Sequence, residues 1–233
     1  VNSKILTEEE IPNPKTPYGQ SKLEAENYIL DQKISKDKRV YILRPAMIHG
    51  PGNKGNLNLL YQLIYKGYPY PLGSFNNQRS FTSIGNLNYI IEQLIENNIL
   101  SGIYQIADNE PVSTNEIISL MADVLGRKPK IWNFPVGLIK TTARIGDFLS
   151  LPFNSERLKK LTENYVVSNQ KITKTLGISL PISAIDGLIT TLTSFQSNYT
   201  ERIMRSNENY VPTDQQVIPT FEVSVPISAK HAS

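Results

Sequence analysis

The chain has 233 residues, no cysteine, and 24 basic against 21 acidic residues, for a net charge of +3. Disulfides and thiolate metal sites are excluded, two histidines (His49 and His231) cannot form a His-rich metal centre, and so small and dispersed a charge does not mark a nucleic-acid surface. The length allows one large domain or two small ones, a 39% hydrophobic content argues against wholesale disorder, and no apolar run reaches the ~18 residues of a membrane span.

Residues 1–16 are polar, contain Pro12 and Pro14, and read as a loop. Pro17 stands where a helix begins, a position at which its missing N–H costs nothing, and Tyr18 to about Lys33 has helical composition. Arg39–Leu43 is a short apolar, β-branched run that predicts a buried strand, followed by the Gly50–Gly52 loop. Leu57–Lys66 predicts a helix closed by Gly67, and Tyr68–Leu72 is extended because two prolines forbid helix. Asn86–Asn97 predicts a helix and Gly102–Ala107 a second strand. Ser113 followed by Glu116 is a capping box opening a helix to Leu125, with Gly126 closing it. Helical stretches follow at Pro135–Leu149, Asn169–Leu176 and Pro181–Phe195. After Phe195 the pattern breaks, with an edge-like strand as one option in VIPTFEVSVPIS.

Strands alternating with helices predict an α/β fold. Two strands cannot make a parallel sheet covered on both faces, and Arg39–Leu43 is apolar enough to lie inside a larger sheet. The chain also opens on Val1 and runs directly into a motif, so the expectation is a piece of a longer protein.

That motif is Pro17-Tyr18-Gly19-Gln20-Ser21-Lys22. On a helix, residues four apart share a face, which places the Lys22 ammonium near the Tyr18 phenol. A phenol ionises near ~10 and is a poor base at neutral pH, but a neighbouring cation favours the phenolate. The pair is therefore able to do acid/base work. On this pair alone the favoured reading is a solvated lysine one turn from a packed tyrosine.

PYGQSKLEAE, the strand YILRP, then IHGPG, then Arg79-Ser80-Phe81 together resemble the extended short-chain dehydrogenase/reductase superfamily, in its NAD-dependent nucleotide-sugar epimerase/dehydratase (UDP-glucose 4-epimerase-like) branch. The resemblance covers roughly residues 1–195 and implies the C-terminal part of a Rossmann-like doubly wound α/β sheet with a small, mainly helical substrate lobe. It implies that Tyr18 is the catalytic base and that Lys22 lowers its pKa and binds the nicotinamide ribose. It implies further that Pro45, Ala46, Met47 and Ile48 line the nicotinamide of NAD or NADP, that Asn56 and Leu57, opening a helix, lie beside the substrate diphosphate, an arrangement suited to an anion, and that Arg79 grips the same group. Met47 stands where many relatives have an asparagine touching the sugar. The family's aspartates after the R-x-F segment are replaced around Gly85-Asn86, and Arg157 is a weak counterpart of its later diphosphate-binding arginine. Gly50-Pro51-Gly52 lacks the spacing of either phosphate loop.

The family's N-terminal half, with its glycine-rich dinucleotide loop, has no counterpart in these residues. The catalytic Ser/Thr is expected just upstream of Val1, since Ser3 and Thr7 are misplaced and Ser21 lies inside the motif. The expected division is 1–107 as part of the dinucleotide-binding domain, with substrate-lobe insertions around 50–85, then 108–198 as substrate lobe and 199–233 as an irregular tail. The implied function is epimerase/dehydratase chemistry at sugar C4 of a nucleotide-linked, UDP-type sugar, in polysaccharide biosynthesis. The alternatives are an NAD(P)H-dependent 4-keto-6-deoxysugar reductase and a non-catalytic interaction fragment. The fragment alone is expected to be inactive, its parent a cytoplasmic homodimer, with no nucleic-acid partner.

Overall fold

The computed structural model describes residues 5–35, 37–150 and 153–208, with side chains as far as residue 197. Ser3, His231 and the strand considered in VIPTFEVSVPIS lie outside the described residues. The chain divides into two units, Val1–Asn198 and Tyr199–Ser233.

In the first unit, short parallel strand pairs alternate with helices. Strand β1 (Ile5–Leu6) leads to helix α1 (Pro17–Leu30), then β2 (Tyr41–Pro45), β3 (Met47–His49) and α2 (Asn56–Tyr65). Next come β4 (Phe81–Ser83), α3 (Ile84–Glu96), β5 (Gly102–Ile106) and α4 (Thr114–Val124). Helices α5 (Val136–Phe148) and α6 (Ser155–Thr162), strand β6 (Val166–Val167), α7 (Gln170–Leu176) and α8 (Ala184–Glu208) complete the order. The pairs are β1 with β6, β2 with β5 and β3 with β4, all parallel. In the longest, Tyr41 lies opposite Gly102 and Pro45 opposite Ile106.

The helix starts follow local chemistry. Thr16 caps α1 by accepting from the Gly19 N–H, with Pro17 in its first turn. Ser113 and Glu116 form the expected capping box on α4, and Gly177 ends α7 in the left-handed region. The core between β2, β5, α3 and α7 is built on Ile90, Leu94, Tyr104, Ile106, Ile172 and Leu180. Tyr61 of α2 meets Phe195 of α8 edge to face at 5.4 Å.

Several expectations are corrected. Residues 1–16 are not all loop, since Ile5–Leu6 pairs with Val166–Val167. Strands β1, β3, β4 and β6 are two or three residues long, too short to carry a periodicity. The strand expected at Arg39–Leu43 runs from Tyr41 to Pro45; it is half-buried throughout and pairs on one side only among the described residues. Helix α6 was not anticipated, its sequence being strongly polar with Leu158 and Leu161 as its only apolar residues. The chain expected to turn irregular at residue 199 stays helical to Glu208, because no proline or glycine interrupts it between Gly187 and Pro212.

Gly146 shows how tightly α5 meets the start of α6. A β-carbon there would come within 1.8 Å of the Phe153 carbonyl oxygen, which is backbone and cannot swing aside. Alanine gains about 1 kcal/mol of helix propensity, but overpacking costs about 1–3 kcal/mol and backbone contact puts this case at the upper end. Gly146→Ala is therefore expected to destabilise the protein by about 1–2 kcal/mol, read as a lower urea midpoint at unchanged slope.

Candidate active site

The first turn of α1 carries Tyr18 and Lys22 on one face. Gly19 between them permits close passage of the preceding loop, where a β-carbon would approach Pro14 Cβ to 2.9 Å. The Ser21 hydroxyl donates back to the Tyr18 carbonyl at 2.9 Å and so serves the helix. The Lys22 Nζ lies 5.4 Å from the centre of the Tyr18 ring. Tyr18 is 73% exposed, and neither side chain makes a hydrogen bond or ion pair among the described residues, which leaves phenol and ammonium open to a ligand.

Helix α1 has no fully buried residue, with Gly19, Leu23 and Glu26 partly buried. A bidentate ion pair ties it to β2: Arg44 donates through its Nε to Glu26 Oε2 at 3.0 Å and through Nη2 to Glu26 Oε1, with both side chains mostly buried. This pair ties the Tyr18 helix to the strand that runs into Pro45, Ala46, Met47 and Ile48. Ala46 is buried, and its N–H donates to the Ile106 carbonyl at 2.8 Å. Met47 is half-buried and Ile48 exposed. Arg44 and Glu26 were not singled out from the sequence, because 18 residues separate them and no spacing rule joins them.

The loop Gly50-Pro51-Gly52 closes on itself. The Asn53 N–H donates to the Gly50 carbonyl at 3.1 Å and the Gly52 N–H to Ser194 Oγ at 3.3 Å. Those amides are used internally, in keeping with the absence of a phosphate-loop spacing. Helix α2 is capped by Gly55 without a side-chain bond, and Asn56 is the exposed first residue of the helix. Leu57 is buried in the core, which leaves its backbone N–H as the group able to meet a ligand.

Arg79 is pinned by its backbone. Its N–H donates to the Val112 carbonyl at 3.0 Å and its carbonyl accepts from the Val112 N–H at 2.8 Å. Its Nε is buried with no hydrogen-bond partner, a donor that an anion would satisfy. Nearby, burial pushes the Tyr70 phenol up to about 12, while a hydrogen bond with Thr114 and the Arg79 cation pull the other way. A tyrosine whose folded pKa exceeds its unfolded value of ~10 contributes stability fully below that pH and loses it as pH rises through the folded value. Phenolate absorbance is expected to show one tyrosine titrating near 12, absent in Tyr70→Phe, with stability declining between pH ~10 and 12 in the parent protein. Arg157 is exposed in the first turn of α6, where its N–H donates to Asn154 Oδ1.

A buried cluster was also missed. The Asp108 carboxylate accepts from the Ser83 N–H at 3.1 and 3.0 Å, from Ser83 Oγ at 3.2 Å and from Asn86 Nδ2 at 2.7 Å. His49 Nε2 lies 3.6 Å from it, and His49 Nδ1 is 2.9 Å from Thr191 Oγ1. At Gly85-Asn86, where this chain has no carboxylate of its own, the Asn86 amide meets that of Asp108, two residues past the end of β5.

Comparison with known proteins adds the following. Residues 3–136 match the model of the 3-beta hydroxysteroid dehydrogenase/isomerase family. UDP-glucose 4-epimerase of Vibrio cholerae is 32% identical over 184 residues, which is 78% of this chain and 54% of that protein. N-acetyl-alpha-D-glucosaminyl-diphospho-ditrans,octacis-undecaprenol 4-epimerase of Escherichia coli O157:H7 is 25% identical over 77% of this chain and 57% of its own. This chain thus spans a little over half the length of these relatives. Among solved structures, UDP-glucuronic acid 4-epimerase from Bacillus cereus in complex with NAD superimposes with a TM-score of 0.62 at 21% identity, covering 85% of this chain and 58% of that one.

Proposed function

The chain belongs to the 3-beta hydroxysteroid dehydrogenase/isomerase family, within the extended short-chain dehydrogenase/reductases, and its fold is the Rossmann-like α/β fold of the nucleotide-sugar epimerases; from that premise we propose that it supplies the acid/base pair and substrate face of an NAD(P)-dependent nucleotide-sugar 4-epimerase. The observation that carries this reading is the Lys22 ammonium over the Tyr18 ring, on a helix clamped through Glu26 to the strand leading into Pro45–Ile48. Residues 1–107 contribute to the dinucleotide side and residues 108–198 to the substrate side.

Bound NAD(P) supplies the hydride acceptor and donor. Tyr18, Lys22 and the Pro45–Ile48 segment are the residues of this chain that hold its nicotinamide end. Tyr18 Oη takes the proton of the sugar 4-hydroxyl as that carbon is oxidised and gives it back as the carbon is reduced on its other face. Lys22 favours the phenolate and hydrogen-bonds the ribose. The free N–H groups of Asn56 and Leu57 at the head of α2, with Arg79, receive the diphosphate of a UDP-linked sugar. The buried, unpaired Arg79 Nε supports that role.

The test is to incubate the full-length gene product with NAD and a panel of UDP-hexoses. Inversion at C4 without net NADH is the expected result. Steady consumption of NAD(P)H with a 4-keto sugar would instead assign the reductase. No turnover in either direction would leave an interaction role.

A further inference from the structure

Helix α5 carries apolar side chains on its outer face as well as its inner one. Its inner face buries only Ile139, Ala143 and Gly146. Its outer face carries Leu138, Ile145, Phe148 and Leu149, each more than half exposed, with Phe148 at 89%. On a surface helix those positions should be polar, and a run of apolar side chains there marks a contact surface. Just before the helix, the exposed Trp132 and Phe134 stack edge to face at 5.7 Å.

The flank of the same helix is cationic. Lys140, Arg144 and, from α6, Lys159 converge with Phe75 on a groove of about 370 Å³. None of the three cations has an ion pair among the described residues. Two acids on α5 and α6 are occupied: Asp147 accepts from the Ser155 N–H at 2.9 Å and Glu156 pairs with Lys160 at 2.7 Å.

We infer that the α5 face, with its Lys140–Arg144–Lys159 flank, docks on a lipid surface carrying anionic headgroups. An apolar stripe bordered by unpaired Lys and Arg, with aromatics at its end, is the pattern of a helix lying in a bilayer interface: apolar side chains enter the acyl boundary and cations meet the phosphates. A second copy of this chain fits less well, because a two-fold pairing of α5 on itself sets these cations against their own copies. The inference stands on this surface alone, independent of the acid/base reading.

The full-length gene product is sedimented with phosphatidylcholine vesicles, with and without about one third phosphatidylglycerol. Binding to the anionic vesicles alone, weakened by salt, is the expected result. Lys140→Gln with Arg144→Gln is expected to weaken partitioning about thirtyfold, at about fivefold per cation removed. Phe148→Ser is expected to abolish the remaining insertion. All three positions are exposed, so the variants should fold, and an unchanged urea midpoint verifies it. No sedimentation with anionic vesicles, or sedimentation indifferent to these substitutions, overturns the inference. A dimer that Phe148→Ser dissociates, without vesicle binding, overturns it in favour of self-association.

Discussion

Tyr18→Phe in the full-length gene product is expected to lower kcat by roughly 10²–10⁴-fold, the usual contribution of a positioned acid/base group, with KM changed little. The substitution removes one oxygen. The ring stays over the Lys22 ammonium, and among the described residues the Tyr18 hydroxyl makes no hydrogen bond that the substitution would break. A unchanged urea midpoint alongside the collapsed kcat separates chemistry from folding. If kcat survives, Tyr18 is not the acid/base group. A weaker but related effect is expected on losing the Arg44–Glu26 clamp, which acts only by placing the helix.

The largest stability effect is expected at Asp108. Its carboxylate is buried and anchors the Ser83 backbone and hydroxyl together with the Asn86 amide. Asn86 in turn donates to the Ile182 carbonyl at 2.8 Å and accepts from the Ile182 N–H at 3.1 Å. One carboxylate thus holds the head of α3 to the segment that enters α8. Asp108→Ala leaves several donors unsatisfied in the interior, each costing about 1–3 kcal/mol but not additively. The expected destabilisation is about 3–5 kcal/mol, comparable to breaking a buried charged pair and a large part of a typical domain's stability. Asp108→Asn keeps one acceptor oxygen and should cost clearly less. Urea unfolding of the parent and both variants measures the order, and equal midpoints for parent and alanine variant would show that the cluster carries no stability.

The long elements were legible because their signals are local. A proline at the head of α1, the Ser113–Glu116 box and the glycines closing α4 and α7 are written within a few residues of what they determine. Strands β2 and β5 were legible as the runs Arg39–Leu43 and Gly102–Ala107, though not the pairing between them. Strands of two or three residues exist only through their partners, so β1, β3, β4 and β6 left no trace. The same division holds for the site. Tyr18 and Lys22 are four apart on one helix, whereas Glu26 with Arg44 and Asp108 with Ser83 meet only after folding. Asn86 read as the loss of a carboxylate, yet it points its amide at one donated from 22 residues away.

The most direct test of the acid/base reading follows the hydrogen on the reacting carbon. A UDP-hexose deuterated at C4 is given to the full-length gene product with NAD in ordinary water. Hydride removal and return predicts the C4-inverted sugar with its deuterium retained, and a rate that collapses in Tyr18→Phe. Deuterium lost to solvent would mean that carbon is deprotonated instead, and inversion at an undiminished rate in Tyr18→Phe would contradict the role given to the tyrosine.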